Sequence, residues 1–284
     1  MRKFFTPRLV FQASSVAGAG AAGCALYDYL SEKNMAKMDE TVRWDVDWDR
    51  YTQVPRERAL EVAEWFVAPD WDILEERKTF DLQHGVRNRE ILMVRHGQYE
   101  SGGSLTALGR EQAALTGVRL KQVLAGKHVR RIFHSNLPRA RETAEIIQQQ
   151  FSPNIIQLRE SALLAEAIPA EPDPPCAECP EYVPAEGRRL EQGFRTFFAR
   201  PPEKPENQLT NGPPHPISVD IIVGHGNCIR FFLCRAMQLD PRFWLRMSVF
   251  NCGISWVDLD ADGVVSVRAV GDTGHLPPHQ ITYN

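Results

Sequence analysis

The sequence predicts an α/β protein: a three-layer α/β/α sandwich with a mostly parallel central sheet, preceded by an N-terminal transmembrane helix and a linker. Three observations carry this. From Arg89 onward, short apolar runs alternate with longer helical patterns, as expected of a sheet covered on both faces. Two of those runs end in polar turns flanked by glycine, Arg95-His96-Gly97 and Gly224-His225-Gly226. Leu9 to Tyr27 carries no charge at all, about the span of a membrane helix, which needs roughly 17–25 mainly apolar residues. With 284 residues, 43% apolar and 24% charged, the chain has room for one large soluble domain with appendages. A formal net charge of −3 gives no basic surplus, so no nucleic-acid partner is expected.

In chain order, the segment 1–30 comes first. Arg2, Lys3 and Arg8 precede the uncharged stretch, and the first acid is Asp28. Ala13, Ala17, Ala21 and Ala25 recur at helical spacing, as do Ser14, Gly18 and Ala22, and small faces of this kind let membrane helices approach closely. A cleaved secretory signal, a mitochondrial presequence and a retained anchor all share these features, and anchoring or mitochondrial import is the preferred reading. Residues 31–88 are polar and mixed in charge, and read as a linker. Within them stands Trp44-Asp45-Val46-Asp47-Trp48-Asp49, whose two Trp would share a face if helical. Such a pair either marks an interface or docks back on its own domain. Residues 55–67 and 70–78 read as amphipathic helical pieces.

The main folded domain is expected over 89–284. Ile91-Leu92-Met93-Val94 is its first strand, followed by a helix from Thr106 to Leu124. Arg131-Ile132-Phe133 is the second, leading into a helix from Pro138 to about Phe151. Ile155 to Leu158 suggests a third. Val219 to Val223 is a fourth, followed by a helix from about Asn227 to Met237. Gly253–Leu259 and Val264–Val270 read as an antiparallel pair around Asp260-Ala261-Asp262-Gly263. The proline-rich stretch from Pro169 to Pro184 is neither helix nor central strand, and a loop of that length is usually functional or disordered. Inside it, Cys176 and Cys179 form a C-x-x-C with no second pair beside it, so free thiols are preferred over a zinc or redox site.

Ligands of open α/β sheets bind in the crevice beyond the carboxyl ends of the strands, and three polar clusters fall at such ends. Arg95-His96-Gly97 follows the first strand. Ser135-Asn136-Leu137-Pro138-Arg139 follows the second, with Arg139 in the first turn of a helix. Gly224-His225-Gly226 follows the fourth, at a helix N-terminus that favours an anion. Arg139 and Arg141 cannot share a helix face, so one of them should aim at the crevice. Arginine grips phosphate through paired hydrogen bonds and keeps its charge. Two arginines and two histidines together suit a dianion.

Arg95-His96-Gly97, Leu105-Thr106 with Gly109 and Gln112-Ala113, the run Ser135…Arg139-Ala140…Thr143, and Gly224-His225 occur here in the order found in the phosphoglycerate mutase-like histidine phosphatase family, which the chain resembles. Within it, the chain is similar to the mitochondrial serine/threonine-protein phosphatase branch. That closer likeness rests on the N-terminal segment, the Trp-Asp run, Glu166 before Pro169…Glu171-Pro172, Ile229-Arg230, and Gly271-Asp272-Thr273-Gly274 with Pro277-Pro278. The resemblance implies that His96 is the nucleophile and forms a phosphohistidine. Arg95, Arg139 and His225 would hold the phosphoryl oxygens, and Glu166 would protonate the leaving group. Glu171 is the fallback for Glu166 and Arg141 for Arg139. No metal and no cofactor are implied. Trp44, Asp45, Asp47, Trp48 and Asp49 would join copies into a homo-oligomer, with the N-terminal helix in a mitochondrial membrane, outer rather than inner.

Two departures matter. The family's run usually carries Asn in place of Asp47, and a carboxylate there is expected to weaken assembly or make it pH-dependent. Gln98 and Tyr99 stand where sugar-phosphate mutases carry other polar residues, which argues against a mutase. The leading expectation is therefore a phosphatase acting on phosphoserine and phosphothreonine in proteins. The alternatives are a small-molecule phosphatase or phosphoglycerate mutase, and a non-catalytic scaffold that keeps the fold without its chemistry.

Overall fold

The computed structural model describes residues 48–49, 67–151, 156–202 and 217–283, all within one compact unit, Val46–Asn284. The segment 1–30, Trp44, Asp45, Asp47 and residues 55–66 of the first expected helical piece lie outside the described residues. Among the described residues, no helix is long and apolar enough to cross a membrane.

The first helix, α1 (Trp71–His84), starts where the Asp70 carboxylate accepts from the Asp72 and Ile73 amides, and it ends at Gly85, whose φ of 64° lies in the left-handed region that favours glycine. Its start matches the helical piece expected over 70–78. It runs further, however, and buries Ile73, Leu74, Arg77 and Asp81 against the domain, although it falls in the stretch read as linker. β1 (Asn88–Arg95) follows, then α2 (Ala107–Val123), whose N-cap Thr106 accepts from the Gly109 amide. β2 (His128–Ser135) leads into α3 (Pro138–Gln149), where Pro138 opens the first turn, a position whose amide needs no helical partner. β3 (Gln157–Ser161) ends in a single 3₁₀ turn, Ala162–Leu164.

The sequence reading leaves α4 (Pro184–Phe197) unassigned. Its Leu190, Phe194 and Phe197 nonetheless recur at helical spacing, and all are buried. β4 (Ile217–Gly224) and α5 (Gly226–Ala236) follow, then the hairpin β5 (Ile254–Asp260) and β6 (Val265–Asp272).

Among the described residues the sheet has six strands, in the order β3-β2-β4-β1-β5-β6. β1 and β2 each pair parallel with β4, and β2 pairs parallel with β3. β5 runs antiparallel to β1 and to β6. The sheet is therefore mixed, parallel at its centre and antiparallel along one side. A tight hairpin can join only antiparallel strands, whereas the parallel strands are joined by crossover helices. Helices cover both faces. Ile91, Met93, Phe133, Ile222 and Val257 pack on one side with residues of α1, α4 and α5. Leu92, Val94, Ile132, Ile221 and Val223 pack on the other with α2 and α3. Burial on both faces explains why β1 and β4 read as continuous apolar runs rather than alternations.

Two further expectations meet the structure here. Cys176 and Cys179 are joined in a disulfide, which corrects the free-thiol reading: the loop curls through a turn with the Cys179 amide on the Cys176 carbonyl, and this brings the two sulfurs together. Trp48 and Asp49 dock on their own domain. The Trp48 indole donates to the Gly263 carbonyl at 3.1 Å, and its ring lies 5.7 Å from that of Phe194. The Asp49 carboxylate accepts from the Arg200 side chain and amide.

Candidate active site

Register brings the polar clusters together. Arg95 pairs with Gly224 across β1 and β4, and His134 pairs with Val223 across β2 and β4. His96, Ser135 and His225 therefore leave three adjacent strands at the same edge, the carboxyl edge where α/β proteins bind ligands. The His96 amide donates to the Gly224 carbonyl at 2.9 Å and so ties the first turn to the third.

The His96 turn is clamped against α2 and α3. The Gly97 amide donates to Thr143 Oγ1 at 3.1 Å, and the Gln98 amide to Gln112 Oε1 at 2.8 Å. A Cβ on Gly97 would lie 2.5 Å from the Gly109 carbonyl oxygen, and one on Gly109 would lie 2.0 Å from that of Gln98. Both glycines are needed because two backbones touch there.

The hydrogen bonds of His96 determine its tautomer. Its Nδ1 lies 2.8 Å from the Gly97 carbonyl, which can only accept, so Nδ1 carries the proton. Nε2 then holds a lone pair, and it accepts from Arg139 Nε at 3.1 Å. Burial pushes the imidazole down to about 3, with the neighbouring Arg139 and Arg95 lowering it further and the Gly97 bond opposing them. The ring is thus neutral at every physiological pH.

His225 is fully buried, its ring centroid 5.0 Å from that of His96. Its Nε2 lies 2.9 Å from Ser135 Oγ, while its Nδ1 is buried without a partner. Burial pushes it down to about 2, helped by His96, Arg139 and Arg95. Arg95 donates from Nη1 to the carbonyls of Val249 and Tyr283 at 2.8 and 2.5 Å, and its buried Nε has no partner. Its guanidinium passes 3.6 Å from where a Cβ on Gly226 would stand, so glycine there leaves it room at the α5 N-terminus.

Glu166 follows the 3₁₀ turn after β3. Arg189 of α4 pins that turn through the carbonyls of Ala162 and Ala165, at 3.0 and 3.1 Å. Desolvation raises the Glu166 carboxyl to about 7, against the opposing pull of the Ala167 amide, Arg95, Arg139 and Arg230. The two sequence-level ambiguities separate by position. Arg141 pairs with Glu160 on the exposed side of α3, while Arg139 faces His96, and Glu171 is exposed on its loop. Among the described residues, no group of three or more His, Cys, Asp and Glu is placed to hold a metal ion.

Several residues at this site are given no role in it by sequence reasoning, where Tyr99 enters only as an argument against a mutase. Tyr99 stands edge-on to His96 at 5.0 Å, and the Arg139 guanidinium lies 4.6 Å from its ring. Asn251, fully buried, donates to the His96 carbonyl at 3.1 Å. Tyr283 and Arg189 are likewise contributed from distant parts of the chain, and no local motif announces them.

The sequence profile of the histidine phosphatase superfamily (branch 1) matches residues 91–199 and 215–272. The chain belongs to this superfamily. The mitochondrial serine/threonine-protein phosphatase PGAM5 of Rattus norvegicus is 36% identical over 84% of this chain and 80% of its own length. The Pgam5 protein of Drosophila virilis, also named a mitochondrial serine/threonine-protein phosphatase, is 33% identical over 87% of this chain and 83% of its own. Among solved structures, phosphoglycerate mutase from Plasmodium falciparum superposes with a TM-score of 0.48 at 33% identity, covering 70% of this chain and 99% of that one.

Proposed function

We propose that this histidine phosphatase is a serine/threonine-protein phosphatase of mitochondria that works through a phosphohistidine. The observation that carries the reading is the His96 ring, neutral, with Nε2 unprotonated and turned toward Arg139. A substrate phosphate displaces Arg139 from that lone pair and takes the guanidinium for its own oxygens. Nε2 then attacks phosphorus in line, and the bond from phosphorus to the serine or threonine oxygen breaks. Glu166, protonated up to about pH 7, gives its proton to the leaving oxygen. The positive charge on the phosphorylated imidazole is eased by the Nδ1 bond to the Gly97 carbonyl. In the second step the Glu166 carboxylate takes a proton from water, whose oxygen attacks phosphorus and frees His96. Arg95, Arg139 and the unpartnered Nδ1 of His225 stabilise charge on the equatorial oxygens.

The protein-directed reading is supported by the PGAM5 relatives, whose names give that activity and that organelle. The proposal extends to the chain's organisation: residues 1–30 tether it to a mitochondrial membrane, the outer one in preference to the inner. Residues 31–88 form a linker whose last helix packs on the catalytic domain 89–284, and the run Trp44, Asp45, Asp47, Trp48 and Asp49 joins copies into a homo-oligomer.

The test is phosphate release from a phosphothreonine peptide and from 3-phosphoglycerate, beside His96→Ala. Release from the peptide that the variant loses supports the proposal. Turnover of 3-phosphoglycerate alone makes the chain a metabolic enzyme, and no turnover of either makes it a scaffold. A His96→Ala protein with near wild-type activity removes His96 as nucleophile.

A further inference from the structure

The segment Leu276–Tyr283 is bound to the rim of the pocket at successive points. Leu276 is buried beside Ala113 and Cys252. The Gln112 amide donates to the Gln280 carbonyl at 2.6 Å and to Thr282 Oγ1 at 2.9 Å. The Asn251 side chain accepts from the Thr282 hydroxyl at 2.9 Å, and its backbone N–H donates to the Thr282 carbonyl at 3.0 Å. Gln112 also holds the Gln98 amide, and Asn251 also holds the His96 carbonyl. The two side chains therefore lock this segment to both ends of the His96 turn.

These ties deliver Tyr283 to two arginines. Its carbonyl accepts from Arg95 Nη1 at 2.5 Å, and its hydroxyl accepts from Arg230 Nη2. Its ring lies 5.5 Å from the Arg95 guanidinium and 5.7 Å from that of Arg230. Phe250 meets the same ring edge-on at 5.5 Å. Arg95 and Arg230 repel each other, and the repulsion lowers the proton affinity of Arg95 after burial has done so. The ring lies against the Arg95 guanidinium and its hydroxyl against Arg230, so the tyrosine stands between the two cations and offsets part of that repulsion. With Nη1 engaged by the two carbonyls, Arg95 keeps its Nε free and buried beside the α5 N-terminus.

We propose that Tyr283 is a positioning residue: it holds Arg95, braced against Arg230, with the Nε edge presented to the phosphate. The inference rests on the reading that Arg95 binds the substrate's phosphate. Tyr283 acts through Arg95 and need not touch the substrate.

Orthophosphate affinity by calorimetry, with kcat and KM on the phosphothreonine peptide, tests this in the full chain. Tyr283→Ala is expected to raise the orthophosphate Kd and the KM together by roughly tenfold, the effect of losing one well-placed contact. Tyr283→Phe keeps the ring against Arg95 and loses only the hydroxyl contact with Arg230, and should stay within about threefold of wild type on the same scale. Tyr283→Leu keeps bulk without the ring and should follow the alanine variant. The side chain is half exposed, so thermal midpoints should hold, and the three variants report on the pocket rather than on folding. Wild-type Kd and KM in both Tyr283→Ala and Tyr283→Leu would overturn the proposal. A wild-type chain that binds orthophosphate but leaves the peptide intact overturns the protein-phosphatase reading instead, and the Kd series still decides the role of Tyr283.

Discussion

Glu166 and His96 respond to the same physical condition in opposite senses. Burial disfavours whichever form is charged, so it raises the Glu166 carboxyl to about 7 and lowers the His96 imidazole to about 3. The first is thereby kept as an acid and the second as a base in one pocket at neutral pH. For activity the sign is direct: in the proposed mechanism the first chemical step needs Glu166 protonated, so kcat/KM should fall as pH rises through about 7, tenfold per unit at the limit. Substrate phosphate becomes a dianion above roughly pH 6, which supplies the acid limb of the profile. Glu166→Gln should flatten the alkaline limb and lower kcat on the order of 10²–10⁴-fold. An unchanged alkaline limb in that variant assigns the proton to another group. For stability the signs differ. His96 and His225 have folded values below 6.5, so they withdraw stability as pH falls below that value. Glu166 withdraws it as pH rises from 4.5 to about 7. Arg95, His96, Arg139 and His225 are legible in the sequence because each follows a strand-turn-helix boundary that can be seen locally. Asn251 and Tyr283 are not, since they reach the site from 155 and 188 positions away.

At the scale of elements, β4 carries an acid in the middle of an apolar run, and the acid is satisfied from two other elements. Asp220 is buried, with Arg77 of α1 at 3.0 Å and Arg130 of β2 at 3.1 Å. Burial pushes its carboxyl up, but Arg130, Arg77 and Arg89 outweigh that and hold it below the ordinary carboxylate range. The stability it contributes is present above its unfolded value and is lost as pH falls through the folded one. Asp220→Ala leaves Arg77 buried beside Arg89 with its main counter-charge gone, which costs about 3–5 kcal/mol. The urea midpoint should drop accordingly, while orthophosphate affinity holds, because the strand presents its other end to the pocket. A loss under about 1 kcal/mol means the arginines find water or another partner. The same contacts explain what the sequence leaves unread. The helical phase of α1 is visible from Asp70, but besides Ile73 and Leu74 its attachment is made by Arg77 and Asp81, charged residues that look solvent-facing until the strand acid and Arg89 are placed beside them. The period of α4 is equally visible in Leu190, Phe194 and Phe197, yet it begins at the last proline of a loop dominated by prolines.

Over the whole molecule, the open question is how the Trp-Asp run divides its work between the domain and other copies. Trp48 covers Phe194 and bonds Gly263, and Asp49 is buried with Arg200. Trp48 and Asp49 are therefore part of the domain's own surface layer. Trp48→Ala removes a half-buried ring and leaves the Gly263 carbonyl to water, a loss of about 2–3 kcal/mol, below the 3–5 typical of a fully buried aromatic. Its thermal midpoint should fall whether or not copies associate. Trp44→Ala makes the same chemical change four residues earlier. If the run also joins copies, it should lower the mass seen by light scattering. The two variants measured together separate the roles. A loss of mass in both with a loss of midpoint only in Trp48→Ala means the domain presents the run as an assembly surface. Unchanged mass in both confines the run to docking on its own domain. Full thermal stability in Trp48→Ala would mean that its contacts with Phe194 and Gly263 contribute little to the fold.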